Sequence, residues 1–130
     1  MNTKSYTIRR EGEVNVDRNG KATATGRGLV IVTVTDDNGQ TQLDPRPSQK
    51  IRNHSPDGFD FGYAGNAPAQ LALAILLDFM GKPPAPACYQ AFKFYFLAPM
   101  SPEGGTIHGA QIRNWLDHWE VELKGVYQGT

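Results

Sequence analysis

The sequence predicts an α+β domain, a small antiparallel sheet with two helices packed on it. Three observations carry that class. The first third alternates β-branched and polar residues between turn signals. A mid-chain run from Asn66 to Met80 is apolar and bracketed by helix start and stop residues. Further on, Ile112, Trp115, Leu116 and Trp119 fall at helical spacing. The resulting order of strands, helix, strand, helix favours helices laid on an antiparallel sheet.

Taken in order, Tyr6 and Ile8 alternate with polar residues, as do Val14 and Val16. Asn19-Gly20 offers the positive φ angles of a tight hairpin turn. Residues 21–25 form the return strand, and their small side chains make residues 1–28 an edge or a mobile ribbon. Residues 29–35, Leu-Val-Ile-Val-Thr-Val-Thr, are the strongest strand. Apolar groups fall on both of its faces, so it is expected at the centre of the sheet and well covered. Asp37-Asn38-Gly39 turns the chain, residues 40–43 pair back, and Pro45 and Pro47 then end the sheet.

Residues 54–65 are rich in turn formers, and Phe59, Phe61 and Tyr63 alternate with Gly58, Asp60 and Gly62. In an extended segment that period places the three rings on one side. Asn66 suits an N-cap, Pro68 suits the first helical turn, and Gly81 followed by Pro83-Pro84 marks the stop. A helix this apolar is expected to be buried on most sides. Residues 89–97 read as a strand with Phe92, Phe94 and Phe96 on one face, and residues 107–120 as the second helix. Residues 121–127 suit either a helical extension or a short strand.

Composition narrows the function. The 130 residues suit one domain with one core. Thirteen basic and thirteen acidic residues give a formal net charge of 0, against the basic excess of a general polyanion binder. Arg9, Arg10, Arg27, Arg46, Lys50 and Arg52 nonetheless sit in the first half, where a modest basic face would suit nucleic acid or an acidic protein. Cys88 is the single cysteine, so no intramolecular disulfide forms, which fits a reducing cytoplasm. Residues 1–6 lack the apolar run of a signal peptide, and the apolar stretch 71–77 falls far short of the roughly 20 residues of a membrane span.

Catalytic patterns are scarce. His54, Asp57 and Asp60 are close in sequence, but their spacing fits no established metal pattern; a turn at Asp57-Gly58 explains them equally well. The loop before Asn66 contains Gly62 and Gly65 at a helix N-terminus, the kind of place where phosphate or carboxylate binds. It lacks both common phosphate-loop motifs, and the glycines also serve a tight turn. Cys88 reads as a small core residue, and Trp115 and Trp119 as core packing or, if uncovered, a partner hot spot.

The segment 54–78, HSPDGFDFGYAGNAPAQLALAILLD, resembles an uncharacterised domain family carried by phages, plasmids and other bacterial mobile elements, with a signature near HSPxGFxWGYGGSGPAQLALAIL. The match is dense there and looser over 29–52 and 89–119. Phe61 stands where the family often has tryptophan, Ala64 replaces a glycine, and Asn66-Ala67 replaces a Ser-Gly pair. The resemblance implies a small cytoplasmic protein of a bacterial host cell.

Three classes of function follow. The first is a non-catalytic binding protein of a phage or mobile element, an anti-defence inhibitor such as an anti-CRISPR, with a host protein or complex as partner. Nucleic acid and a second copy of the chain are further partners considered; no cofactor, metal ion or membrane is expected. The second is a nucleotide- or anion-binding module at the loop before Asn66. For both, the candidate binding residues are His54, Asp57, Phe59, Phe61, Tyr63, Gly65, Asn66 and Gln70. The third is a small enzyme built on His54, Asp57 and Asp60.

Overall fold

The structure, a computed structural model, describes residues 3–16, 18–20 and 22–120. The two possibilities considered for residues 121–127 lie outside them. Four strands form one antiparallel sheet: β1 (Ser5–Val16), β2 (Ala22–Asp36), β3 (Gly39–Gln42) and β4 (Gly105–His108), in the order β3-β2-β1-β4. Strands β1 and β2 pair along most of their length, with a register shift between Glu11 and Glu13. β3 pairs only with Thr33–Asp36 and β4 only with Ser5–Ile8, so the outer half of the β1–β2 pair extends past both neighbours. At its tip Gly20 takes a φ of +80°, whereas no described non-glycine residue has a positive φ, so Asn19 does not share the turn as expected.

Period-two alternation sets the buried face. Tyr6 and Ile8 of β1 stand opposite Val34 and Val32 of β2, and Tyr6 also opposes Ile107 of β4. All five are buried. The reverse face presents threonines, with Thr7 and Thr106 hydroxyls 3.0 Å apart. β2 is central, as expected, but covered on one face only: Ile31 is half-buried and Leu29 exposed, because the helices all pack on the Val32–Val34 side.

Helix α2 (Asn66–Met80) occupies the expected residues, and its residues from Pro68 through Leu76 are buried without interruption. Removing one such leucine side chain typically costs about 3 kcal/mol. Its N-cap, however, is Gly65 rather than Asn66: the Gly65 carbonyl accepts the first ladder bond, from the Ala69 N–H at 3.1 Å, which makes Asn66 the first helical residue. Gly81, with φ +73°, ends the helix in the left-handed conformation expected of it.

One expectation is extended and two are corrected. The prolines after β3 do end the sheet, but they open a short helix, α1 (Arg46–Ile51), in which Pro47 falls in the first turn, where its missing N–H is not needed. Residues 89–97 are not a strand. They lie in α3 (Pro86–Phe92) and in a five-residue π turn, Lys93–Leu97, closed by the Ala98 N–H donating to the Lys93 carbonyl at 2.9 Å. The physical reason is that Cys88, Tyr89, Phe92 and Leu97 are buried at helical spacing, and all four belong to the core cluster that contains α2. The last helix, α4 (Gly109–His118), starts later than expected because Ile107 belongs to β4. Gln111 closes its first turn by accepting from the His108 N–H at 2.8 Å.

One buried cluster joins the sheet face to α2, α3 and α4. Trp115 and Trp119 stack at 5.9 Å inside it, as core residues. Cys88 is buried with them, and burial, with Glu120 nearby, pushes its thiol up to about 11. Among the described residues no helix is long and apolar enough to cross a membrane.

Candidate binding surface

The eight candidate residues do not form one surface. Gln70 is entirely buried, and both ends of its amide are used. Its carbonyl accepts from the His54 N–H at 2.7 Å and the Ser55 N–H at 3.0 Å. Its amide nitrogen donates to the Ser48 hydroxyl at 2.9 Å and the Arg52 carbonyl at 3.2 Å. One polar side chain on an apolar helix therefore fixes the backbone from α1 through Ser55.

His54 leaves that clamp toward α3. Its Nε2 and the Tyr89 hydroxyl are 2.6 Å apart, and the two rings meet edge-on at 5.5 Å. Burial, together with the charges of Arg52 and Lys93, lowers the imidazole pKa. Asp60 has a different partner: its carboxylate accepts from Arg10 at 2.6 Å and from the Phe61 N–H at 2.9 Å. Arg10 also lies 4.9 Å over the Phe61 ring. Asp57 is exposed, and it lines a cleft of about 300 Å³ with Phe59, Asp60 and Arg10. His54 thus bonds Tyr89 while Asp60 bonds Arg10, and among the described residues no group of three metal-ligating side chains converges.

The three rings of the loop are split as well. Phe61 is buried, Phe59 half-buried and Tyr63 exposed, so the expected common face is absent. The loop is not a single extended strand: Gly62 turns it with a φ of +88°, and its N–H donates to the Leu97 carbonyl at 2.9 Å. Gly65 serves close approach. A β-carbon there would lie 2.4 Å from the Tyr63 ring, which therefore covers the N-cap of α2. Asn66 beside it is exposed.

The expected basic face is largely neutralised. Arg9 pairs with Glu11, Arg10 with Asp60 and Arg46 with Asp44; the Arg27 side chain lies outside the described residues. A second cleft, of about 280 Å³, opens between the β2–β3 pair and α1–α2. It contains Asp44 and Asp78, already paired with Arg46 and Lys4, and the bonds from Arg46 hold the Asp44 carboxyl down to about 2.

The most exposed aromatic surface lies on the π turn. Phe94 is 59% exposed and Tyr95 64%. Tyr95 touches Phe96 and Trp115 edge-on or tilted, which connects the surface to the core. Lys93 places its ammonium 4.3 Å over the Phe94 ring. A helical reading of residues 86–97 would have found this arrangement, since Pro86 is a helix-start signal and Tyr89 and Lys93 are then one turn apart on one face.

An α+β fold with a one-faced antiparallel sheet and an aromatic π turn is thus the frame of this chain. Residues 18–118 match the model of a family of unknown function (DUF6166), and the chain belongs to that family. No curated protein and no solved structure matches it.

Proposed function

We propose that this is a non-catalytic binding protein whose partner-facing surface is centred on Phe94 and Tyr95. The observation that supports it is the exposure of two adjacent large aromatic side chains on a helical wall whose other rings are buried or half-buried. Aromatic residues are enriched in interfaces and concentrate binding energy there. π turns are themselves frequent at functional sites. The resemblance of residues 54–78 to proteins of phages and mobile elements supplies the setting: the cytoplasm of a bacterial host, with a host protein or complex as partner and inhibition of a defence system, such as CRISPR, as the outcome. The divergent partners of His54 and Asp60 support a role without catalysis.

Affinity capture from bacterial lysate tests the surface. The native chain is expected to retain a stoichiometric partner, and a Phe94→Ala/Tyr95→Ala variant of unchanged thermal stability is expected to lose it. Equal capture by both proteins, or no partner for either, sinks the reading. A second copy of the chain as partner would instead appear as concentration-dependent mass in solution, abolished by the same substitutions.

A further inference from the structure

We infer that Arg52, His54, Tyr89 and Lys93 form a binding site for the phosphate group of a small phosphorylated molecule. This site shares His54 with the earlier candidate residues and borders the proposed partner surface at Phe94, but the inference does not rest on that reading.

The site is built rather than incidental. Gln70 fixes the backbone of residues 52–55 through bonds to the Arg52 carbonyl and the His54 and Ser55 N–H groups. The bond between His54 Nε2 and Tyr89 then ties that segment to α3. Lys93 follows Tyr89 by one helical turn and projects from the same side. Only 7% of Lys93 is exposed, and its ammonium has no hydrogen-bond or carboxylate partner among the described residues, only the Phe94 ring at 4.3 Å. Every fully buried side-chain nitrogen or oxygen among those residues has a hydrogen-bond partner, so the Lys93 ammonium reaches solvent. Arg52 is exposed and makes no ion pair among the described residues.

Electrostatics point the same way. Burial first, and then the charges of Arg52 and Lys93, hold the His54 imidazole below the ordinary range. Burial likewise lowers the Lys93 pKa. An anion arriving from solution would supply the counter-charge that neither Arg52 nor Lys93 has among the described residues. Arginine offers a planar fork to oxyanions and lysine a point charge. The His54–Tyr89 pair adds a neutral donor, whichever of the two holds the shared proton. A carboxylate has one charge and leaves a cation unmatched, whereas a phosphate monoester carries nearly two charges and three terminal oxygens. A zero net charge and a patch of four side chains give no track for a nucleic-acid backbone.

The test is an NMR titration of the His54 ring of the full chain with inorganic phosphate, adenosine 5′-monophosphate, adenosine and a single-stranded oligonucleotide. Saturable shifts with phosphate or the monophosphate, none with adenosine, and a rise in the His54 pKa on binding are expected. Equal affinity for phosphate and the monophosphate assigns recognition to the phosphate alone; tighter binding of the monophosphate assigns it to a carrier molecule. Lys93→Met, which keeps the buried stem, and Arg52→Gln are each expected to weaken binding about tenfold, the loss of one charge-assisted hydrogen bond. If Lys93→Met does not fold, the exposed Arg52→Gln still decides. No saturable shift, native affinity in the variants, or binding of the oligonucleotide alone overturns the inference.

Discussion

The side-chain carbonyl of Gln70 accepts the backbone N–H of His54 at 2.7 Å, at the N-terminal end of a helix that is otherwise an apolar core. Three further bonds saturate the same amide, so Gln70 is a structural clasp as much as a candidate contact. Gln70→Leu preserves approximate volume and leaves the Ser48 hydroxyl its bond to the Pro45 carbonyl, but strands two N–H groups and a carbonyl. It is expected to cost about 3 kcal/mol in urea unfolding, because unsatisfied buried polar groups cost about 1–3 kcal/mol each and some regain water. A loss below about 1 kcal/mol would show that the clasp is dispensable.

The ion pair of Arg10 and Asp60 is asymmetric. The Asp60 side chain is 7% exposed, Arg10 25%. Removing the arginine takes the charged partner from a buried carboxylate, whereas removing the aspartate leaves a more exposed guanidinium that water can reach. Arg10→Ala is therefore expected to destabilise by about 2 kcal/mol and Asp60→Ala by less. Chemical denaturation of both variants checks the order, and the reverse order refutes the argument.

Stability should fall in mild acid because of His54. Its folded pKa lies below the ordinary value, owing first to burial and then to Arg52 and Lys93. Between the folded value and about 6.5 the unfolded chain binds more protons than the native one. The contribution is complete above that window and is lost as the pH drops through it. In phosphate-free buffer the urea midpoint of the native chain should decline from about pH 7.5 to 5.5, and His54→Gln should flatten the slope. Identical slopes would place the titration elsewhere.

Gly65 and Tyr63 are expected to couple. The backbone of Gly65 is ordinary extended geometry, so the penalty of Gly65→Ala arises from the Tyr63 ring 2.4 Å from the new methyl. The ring is exposed and can swing aside, which limits the cost to about 1 kcal/mol. In a double-mutant cycle, Tyr63→Ala should abolish that cost. Additive effects would mean that the strain is in the backbone.

Much of this architecture was legible, and the misreadings have physical causes. α2 was readable to its ends because its apolar length and its Gly81 stop agree. β1 and the stretch 29–35 were readable from their β-branched and alternating residues, but 22–25 and 29–35 are parts of one strand rather than two. Residues 89–97 misled because Phe92, Phe94 and Phe96 mimic a strand period, while the same stretch satisfies helical burial through Tyr89, Phe92 and Leu97. A short apolar run cannot separate the two periods without its start signal, and Pro86 supplies that signal. The candidate residues fared unevenly for a related reason. Proximity in sequence grouped His54 with Asp57 and Asp60, whereas the fold takes His54 to Tyr89 and Asp60 to Arg10, partners 35 and 50 residues distant.

The solvent-facing position of Phe94 should be visible in stability. Phe94→Ser is expected to change the unfolding free energy by no more than about 0.5 kcal/mol, as for other exposed sites. Phe92→Ala, two residues earlier and wholly buried, should cost about 4 kcal/mol. Comparable losses for both would place Phe94 in the core.

The π turn at Lys93–Leu97 makes chain length a determinant of that surface. A π turn holds one more residue than the α turn it replaces, so deleting a single residue between them would restore regular helical winding. The residues beyond the deletion would keep their orientation, while the turn itself would lose its bulge and draw Phe94 and Tyr95 into new positions on the helix surface. Relatives lacking that one residue would present a differently oriented aromatic face from a nearly unchanged composition. Insertion and deletion, more than substitution, would then be the means by which such a surface changes the partner it fits.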